Sequence, residues 1–65
     1  MTNQQIENWI TMIGCSKKQF IDIIKKAVGN FIITTGSWYT PYSIIDDNGL
    51  LAKYDTKGNL LYNRQ

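Results

Sequence analysis

The sequence predicts an α+β fold: an N-terminal helical hairpin packed on a C-terminal antiparallel sheet of three or four strands. Three observations predict it. Apolar residues recur at helical spacing as far as Val28. From Phe31 onward β-branched residues take over, in the short runs that strands favour. Two Asp-x-x-Gly turns, at residues 46–49 and 55–58, then punctuate the end of the chain. One small domain, 1–65, is expected, with the hairpin in 1–30 and the strands in 31–65.

The first helix starts near Thr2 or Asn3, both good N-caps, with Gln5 and Glu7 in its first turns. Ile6, Trp9, Ile10 and Ile13 fall on one apolar stripe. Gly14 ends the helix, because the left-handed position after a helix costs glycine nothing. Ser16 caps the second helix, and Gln19 three residues later completes a capping box. Phe20, Ile23, Ile24 and Ala27 form its stripe, Ile21 and Val28 widen it, and Gly29 with Asn30 stops it. "FIITT" is a strand. "GSWYTPY" is a loop or a bulged edge segment, because Pro41 has no N–H to give to a ladder.

The end of the chain repeats with a period of nine: Asp46, Gly49 and Leu51 match Asp55, Gly58 and Leu60. Each turn suits a type I turn closed by a residue of positive φ, although Asn48 and Gly49 also suit a two-residue type I′ turn. The expected meander covers about 42–46, 50–55 and 59–63. With these loops Ile44, Ala52, Tyr54, Leu60 and Tyr62 share one face, and Ile45, Leu51, Lys53 and Leu61 the other. A register slip of one residue would exchange the faces. The helices cover one face, which leaves the other for a partner or for another copy of the chain.

Composition excludes more than it assigns. A chain of 65 residues buries only about 60% of its unfolded surface, so it gains from a staple. Cys15 is the only cysteine, so no disulfide closes within the chain. With no histidine there is no conventional metal site, and no cofactor is implied. Good packing or a homo-oligomer is the staple left, and 43% apolar residues favour the oligomer. The lone cysteine fits a reducing compartment, the first seven residues lack an apolar signal core, and the longest apolar runs are three or four residues. A cytoplasmic protein with no membrane contact is the expectation. The net charge is +2, all of it in residues 1–30, where Lys17, Lys18, Lys25 and Lys26 outweigh Glu7 and Asp22. Such an excess hints at an anionic partner, but a solvated helix face is the better explanation of two charges.

Enzyme chemistry finds little to work with, and no small-molecule substrate is expected. There is no histidine for proton transfer near neutral pH, and no Ser-x-x-Lys, Gly-x-Ser-x-Gly or phosphate-cradling loop. Asp46 and Asp47 are adjacent, so in a strand they point apart, and turn capping explains them better than catalysis. Cys15 gains thiolate character from the following helix start and from Lys17 and Lys18, yet it has no base beside it and reads as a small buried turn residue.

"GCSKK", residues 14–18, is the turn of a helix-turn-helix as well as of any tight helical hairpin. As a DNA reader it would present Ser16, Lys17, Lys18 and Gln19, together with Asp22, to the groove, with Lys25 further along the helix and the following hairpin as a wing. Against this, Ile10 stands where a close crossing wants a small residue, Ile21 falls on the exposed side, and no arginine precedes Arg64. DNA binding is therefore the alternative reading.

Residues 9–29, with Trp9, Gly14 five residues later, the small Cys15, Ser16, the apolar Phe20 and the terminal Val28 and Gly29, resemble a family of very short bacterial proteins of unknown function. The resemblance covers about a third of the chain and implies the helical hairpin, with no activity attached. The chain departs from that pattern by one extra residue before Gly29 and by the strands that follow. "YDTKGNLLY", residues 54–62, is similar to the Tyr-Asp repeats of large secreted β-rich shells, and as a single copy it reads as a hairpin.

Trp38, Tyr39 and Tyr42 form an aromatic cluster around Pro41. Either they lid the small core or they are an interface hot spot, since Trp and Tyr dominate such sites. Stacking on single-stranded nucleic acid would need cations, and none lies within ten residues on either side. The leading expectation is a small non-enzymatic module that binds or occludes a larger protein, with Trp38, Tyr39 and Tyr42 as its contact residues. Size and an Ile, Asn and Lys-rich composition suit a phage or mobile-element origin. A structural or assembly subunit acting as a homo-oligomer is the third reading.

Overall fold

The computed structural model describes residues 2–36 and 38–65. The order of elements is α1 (Asn3–Ile13), α2 (Lys17–Ile24), β1 (Phe31–Thr35), β2 (Tyr42–Asp46), β3 (Gly49–Tyr54) and β4 (Leu60–Asn63). The strands form one antiparallel sheet in the order β1-β2-β3-β4, a simple meander. The expected α+β arrangement is the one observed.

Local chemistry accounts for the helix ends. The Thr2 hydroxyl accepts from Gln5 N at 3.2 Å, and the Gln5 side chain accepts from Thr2 N at 2.8 Å, a complete capping box. Gly14 closes α1 at φ 81°, with its N–H donating to Ile10 O. Ser16 caps α2 by accepting from Gln19 N at 3.3 Å.

α2 stops earlier than the apolar stripe foretells. Lys26 N and Ala27 N donate three residues back, to Ile23 O and Ile24 O, which tightens the last turn. The helix cannot continue, because Val28 is already committed elsewhere: its N–H donates to the Asp46 carboxylate at 2.9 Å, and its carbonyl accepts from Asp47 N. Tertiary hydrogen bonds thus outcompete helix propensity at this point.

Both helices cover one face of the sheet. Ile13, Phe20 and Ile23 meet Ile44, Leu51, Ala52 and Tyr54 in the core, with Trp9, Ile10, Leu60 and Tyr42 packed around it. Two irregularities correct the expected faces. Ile44 pairs with Ala52 but Ile45 pairs with Leu50, so Leu51 is the extra residue of a bulge and lies fully buried. Tyr54 pairs with Leu60 but Lys53 pairs with Tyr62, so Leu61 is the extra residue and Tyr62 falls on the outer face beside Lys53. Strict alternation had assigned Leu51 and Tyr62 to the opposite sides.

The turns are settled by φ. Gly49 has φ 108° and no described residue other than glycine has a positive φ, so residues 46–49 take the type I form and not type I′. The second turn has the same form, with Gly58 N donating to Asp55 O and Gly58 at φ 84°.

Candidate interaction surface

The segment between β1 and β2 is a short loop closed by Gly36 N donating to Pro41 O at 3.1 Å. Trp38 and Tyr39, between β1 and β2, are 90% and 83% exposed. Tyr42 does not join them. It opens β2 with the same parity as Ile44, so it faces the helices and meets the Trp9 ring edge-on at 6.3 Å. The aromatic cluster therefore divides into a core-side pair, Trp9 with Tyr42, and a surface pair, Trp38 with Tyr39.

The outer face of the sheet continues from this loop. Ile32, Ile45 and Leu50 stand side by side across three strands. The next row holds Thr34, Ser43, Lys53 and Tyr62. No helix covers this face, and Ile32 is 60% exposed on it. Sequence reasoning placed Ile45 and Lys53 here but missed Leu50 and Tyr62, because each bulge shifts the register by one residue.

α2 spreads its polar residues over different surroundings. The Ser16 hydroxyl serves its cap. Lys17 Nζ pairs with Glu7 Oε1 of α1 at 2.6 Å, at the surface. Lys18 and Gln19 line a groove of about 330 Å³ between α2 and β4, together with Asp22, Ile23, Lys26, Leu60 and Asn63. Lys25 stands at the other end of the helix, as its C-cap. Lys26 Nζ donates to Asn63 Oδ1 and to Arg64 O, the latter at 2.8 Å.

One charged site escaped the sequence reading. Asp46 is buried at the end of β2. Its carboxylate accepts from Val28 N and from Asn48 N, each at 2.9 Å, and from the Arg64 guanidinium. Arg64 also donates its backbone N–H to Leu51 O at 2.9 Å and Nη1 to Leu50 O. The Arg64 hydrogen bond, then the Val28 N–H, hold the Asp46 carboxyl down at about 2. Turn capping, the expected role, is present in the Asn48 contact but is the smaller part. The signal lay in the nine-residue repeat. Asp55 is satisfied locally by Lys57 N, Asn59 N and Asn59 Nδ2. The residue matching Asn59 in the first copy is Leu50, which leaves one oxygen of Asp46 in need of a distant donor.

Cys15 is half-buried, and burial pushes its thiol up, away from the thiolate character expected of a helix start. Among the described residues no group of His, Cys, Asp and Glu has the arrangement of a metal site. No described helix is long and apolar enough to cross a membrane. No protein-family model, curated protein or solved structure matches the chain.

Proposed function

We propose that this chain is a small, non-enzymatic protein-interaction module that works in the cytoplasm by binding or occluding a larger protein. The observation that carries the reading is the exposure of Trp38 and Tyr39 together at the tip of one loop. Leaving a large aromatic side chain in water forgoes roughly 1.5–3 kcal/mol of burial, which a fold this small can ill spare. The same rings are the usual anchors of protein interfaces, because they bring a large contact area with few rotatable bonds. The apolar row of Ile32, Ile45 and Leu50 extends the contact area beyond the loop. Phage or mobile-element origin belongs to the same reading and rests on size and composition alone.

The test compares wild type with a Trp38→Ala, Tyr39→Ala double variant as bait. Both side chains are largely exposed, so the circular dichroism spectrum should be unchanged and Tm should shift little. Loss of two anchors of at least 2 kcal/mol in total should weaken a captured partner by about 30-fold or more. Equal capture by a folded double variant would remove this surface from consideration. Duplex DNA at two salt concentrations probes the alternative. Binding that weakens steeply with salt and is lost on Lys17→Glu, Lys18→Glu would move the function to α2.

A further inference from the structure

Among the described residues seven large apolar side chains are exposed, and four of them, Val28, Ile32, Trp38 and Tyr39, lie in β1 or beside it. β1 ends the sheet, so one side of its backbone has no ladder partner in the meander. Native proteins blunt such edges with charge, proline, a bulge or a very short strand. β4, the other edge, shows several of these devices. It is four residues long, is bulged at Leu61, and runs into Arg64, while Lys26 Nζ occupies the Arg64 carbonyl. β1 shows none of them. Its five residues, FIITT, carry no charge and no proline, and its register with β2 is regular from Phe31 opposite Asp46 to Thr35 opposite Tyr42.

We propose that β1 is the seam of a homodimer, in which the β1 strands of two copies pair antiparallel about a two-fold axis and join the two sheets into one of eight strands. The self-complementarity of β1 argues for a second copy as the occupant. An uncharged strand opposes no like charges when a two-fold axis sets it against itself. With the axis at Ile32, Ile32 of one copy stands opposite Ile32 of the other on the outer face, and Phe31 stands opposite Ile33 on the helix side. Side-chain parity is thereby conserved across the seam. The row of Ile32, Ile45 and Leu50 then meets its twin and becomes a continuous apolar band of six side chains. The seam stands independently of whatever larger partner Trp38 and Tyr39 contact.

Sedimentation equilibrium of the full chain tests this. With the axis at Ile32 only Phe31 to Ile33 pair strand to strand, a seam much smaller than a standard interface of about 1,600 Å², so the mass of wild type should climb from monomer to dimer only toward the top of the micromolar range. Ile32→Lys changes a side chain that is already 60% exposed, so the fold should persist by circular dichroism. It sets two ammonium groups opposite each other at the axis and should weaken the dimer at least about tenfold. Leu61→Lys, at an equally open position on β4, should leave the dimer intact. A wild type that remains monomeric at millimolar concentration overturns the proposal, and so does a dimer broken by Leu61→Lys but not by Ile32→Lys. Either result leaves the aromatic-loop reading standing, because that reading depends on the Trp38, Tyr39 variant alone.

Discussion

Tyr54 carries a phenolic hydroxyl into the core, where its polar neighbour is the Cys15 thiol, a weak partner, and no described residue gives it a hydrogen bond of full geometry. Burial pushes its ionisation well above the ordinary tyrosine range, so the group is a neutral hydroxyl at any physiological pH. A buried, unsatisfied hydroxyl costs about 1–3 kcal/mol, while the ring around it contributes the packing. Tyr54→Phe should therefore raise stability by about 1 kcal/mol, seen as a rise in Tm of roughly 4–8 °C by thermal circular dichroism. A fall in Tm would mean that the hydroxyl is satisfied in solution, by the Cys15 thiol or by a water. The sequence could place Tyr54 on the core face by alternation, but it could not say whether the oxygen had a partner. Capping residues are the opposite case. Thr2 and Ser16 were legible as N-caps because donor and acceptor lie three residues apart, but the complete capping box expected of Ser16 and Gln19 is found at Thr2 and Gln5 instead.

The turns of the two halves of the chain dock on each other. Gly14, after α1, and Gly58, between β3 and β4, have nearly the same backbone, φ 81° and 84°. Their surroundings differ. A Cβ on Gly14 would find its nearest neighbour beyond the adjoining residues, Lys57 O, at 3.9 Å, an ordinary contact. A Cβ on Gly58 would fall 2.3 Å from Gly14 O and 2.9 Å from Ile13 O, backbone atoms that can move only if the helix end moves. Gly14→Ala should thus cost only the left-handed strain, about 1 kcal/mol, and Gly58→Ala about 3 kcal/mol or more. Urea melts of the two variants separate strain from docking, and equal losses would show that the turns are not held together in solution. At this scale the sequence was informative wherever the cause was local. Both Asp-x-x-Gly turns and all four strands sit within a residue or two of their expected positions. It was silent where a distant partner decides. The bulges at Leu51 and Leu61 satisfy the packing of the whole sheet, and α2 ends at Ile24 because Asp46 claims Val28 N. The candidate surface divides in the same way. Trp38 and Tyr39 could be singled out as aromatic residues in an irregular segment, whereas the loss of Tyr42 to the core depended on Trp9, 33 positions away.

Asp46 ties two remote parts of the molecule, the link after α2 through Val28 and the segment after β4 through Arg64, to its own β2–β3 turn through Asn48. Lys26 adds a second tie between the end of α2 and residues Asn63 and Arg64. The stability of the whole fold should therefore follow the ionisation of this group. Its folded value of about 2 lies below the ordinary 3.8, so the folded state favours the charged form. The resulting stabilisation is complete above about pH 4 and is lost as the pH falls toward 2. Asp55 is shifted in the same direction by the Asn59 N–H and adds to the same acid limb. Tm should be level between pH 7 and 5 and should drop below pH 4. Asp46→Asn should lower Tm at pH 7 and flatten the acid limb, leaving the part that belongs to Asp55. Arg64→Ala should cost more at pH 7 than Asp46→Asn, with a fall in Tm on the order of 10 °C, because it leaves a buried carboxylate without its cation while the asparagine keeps a neutral acceptor in place. Thermal melts of the three proteins at pH 7 and pH 3 decide the matter. A wild-type acid limb that survives intact in Asp46→Asn would transfer the pH dependence to the surface carboxylates and reduce the buried pair to a local contact.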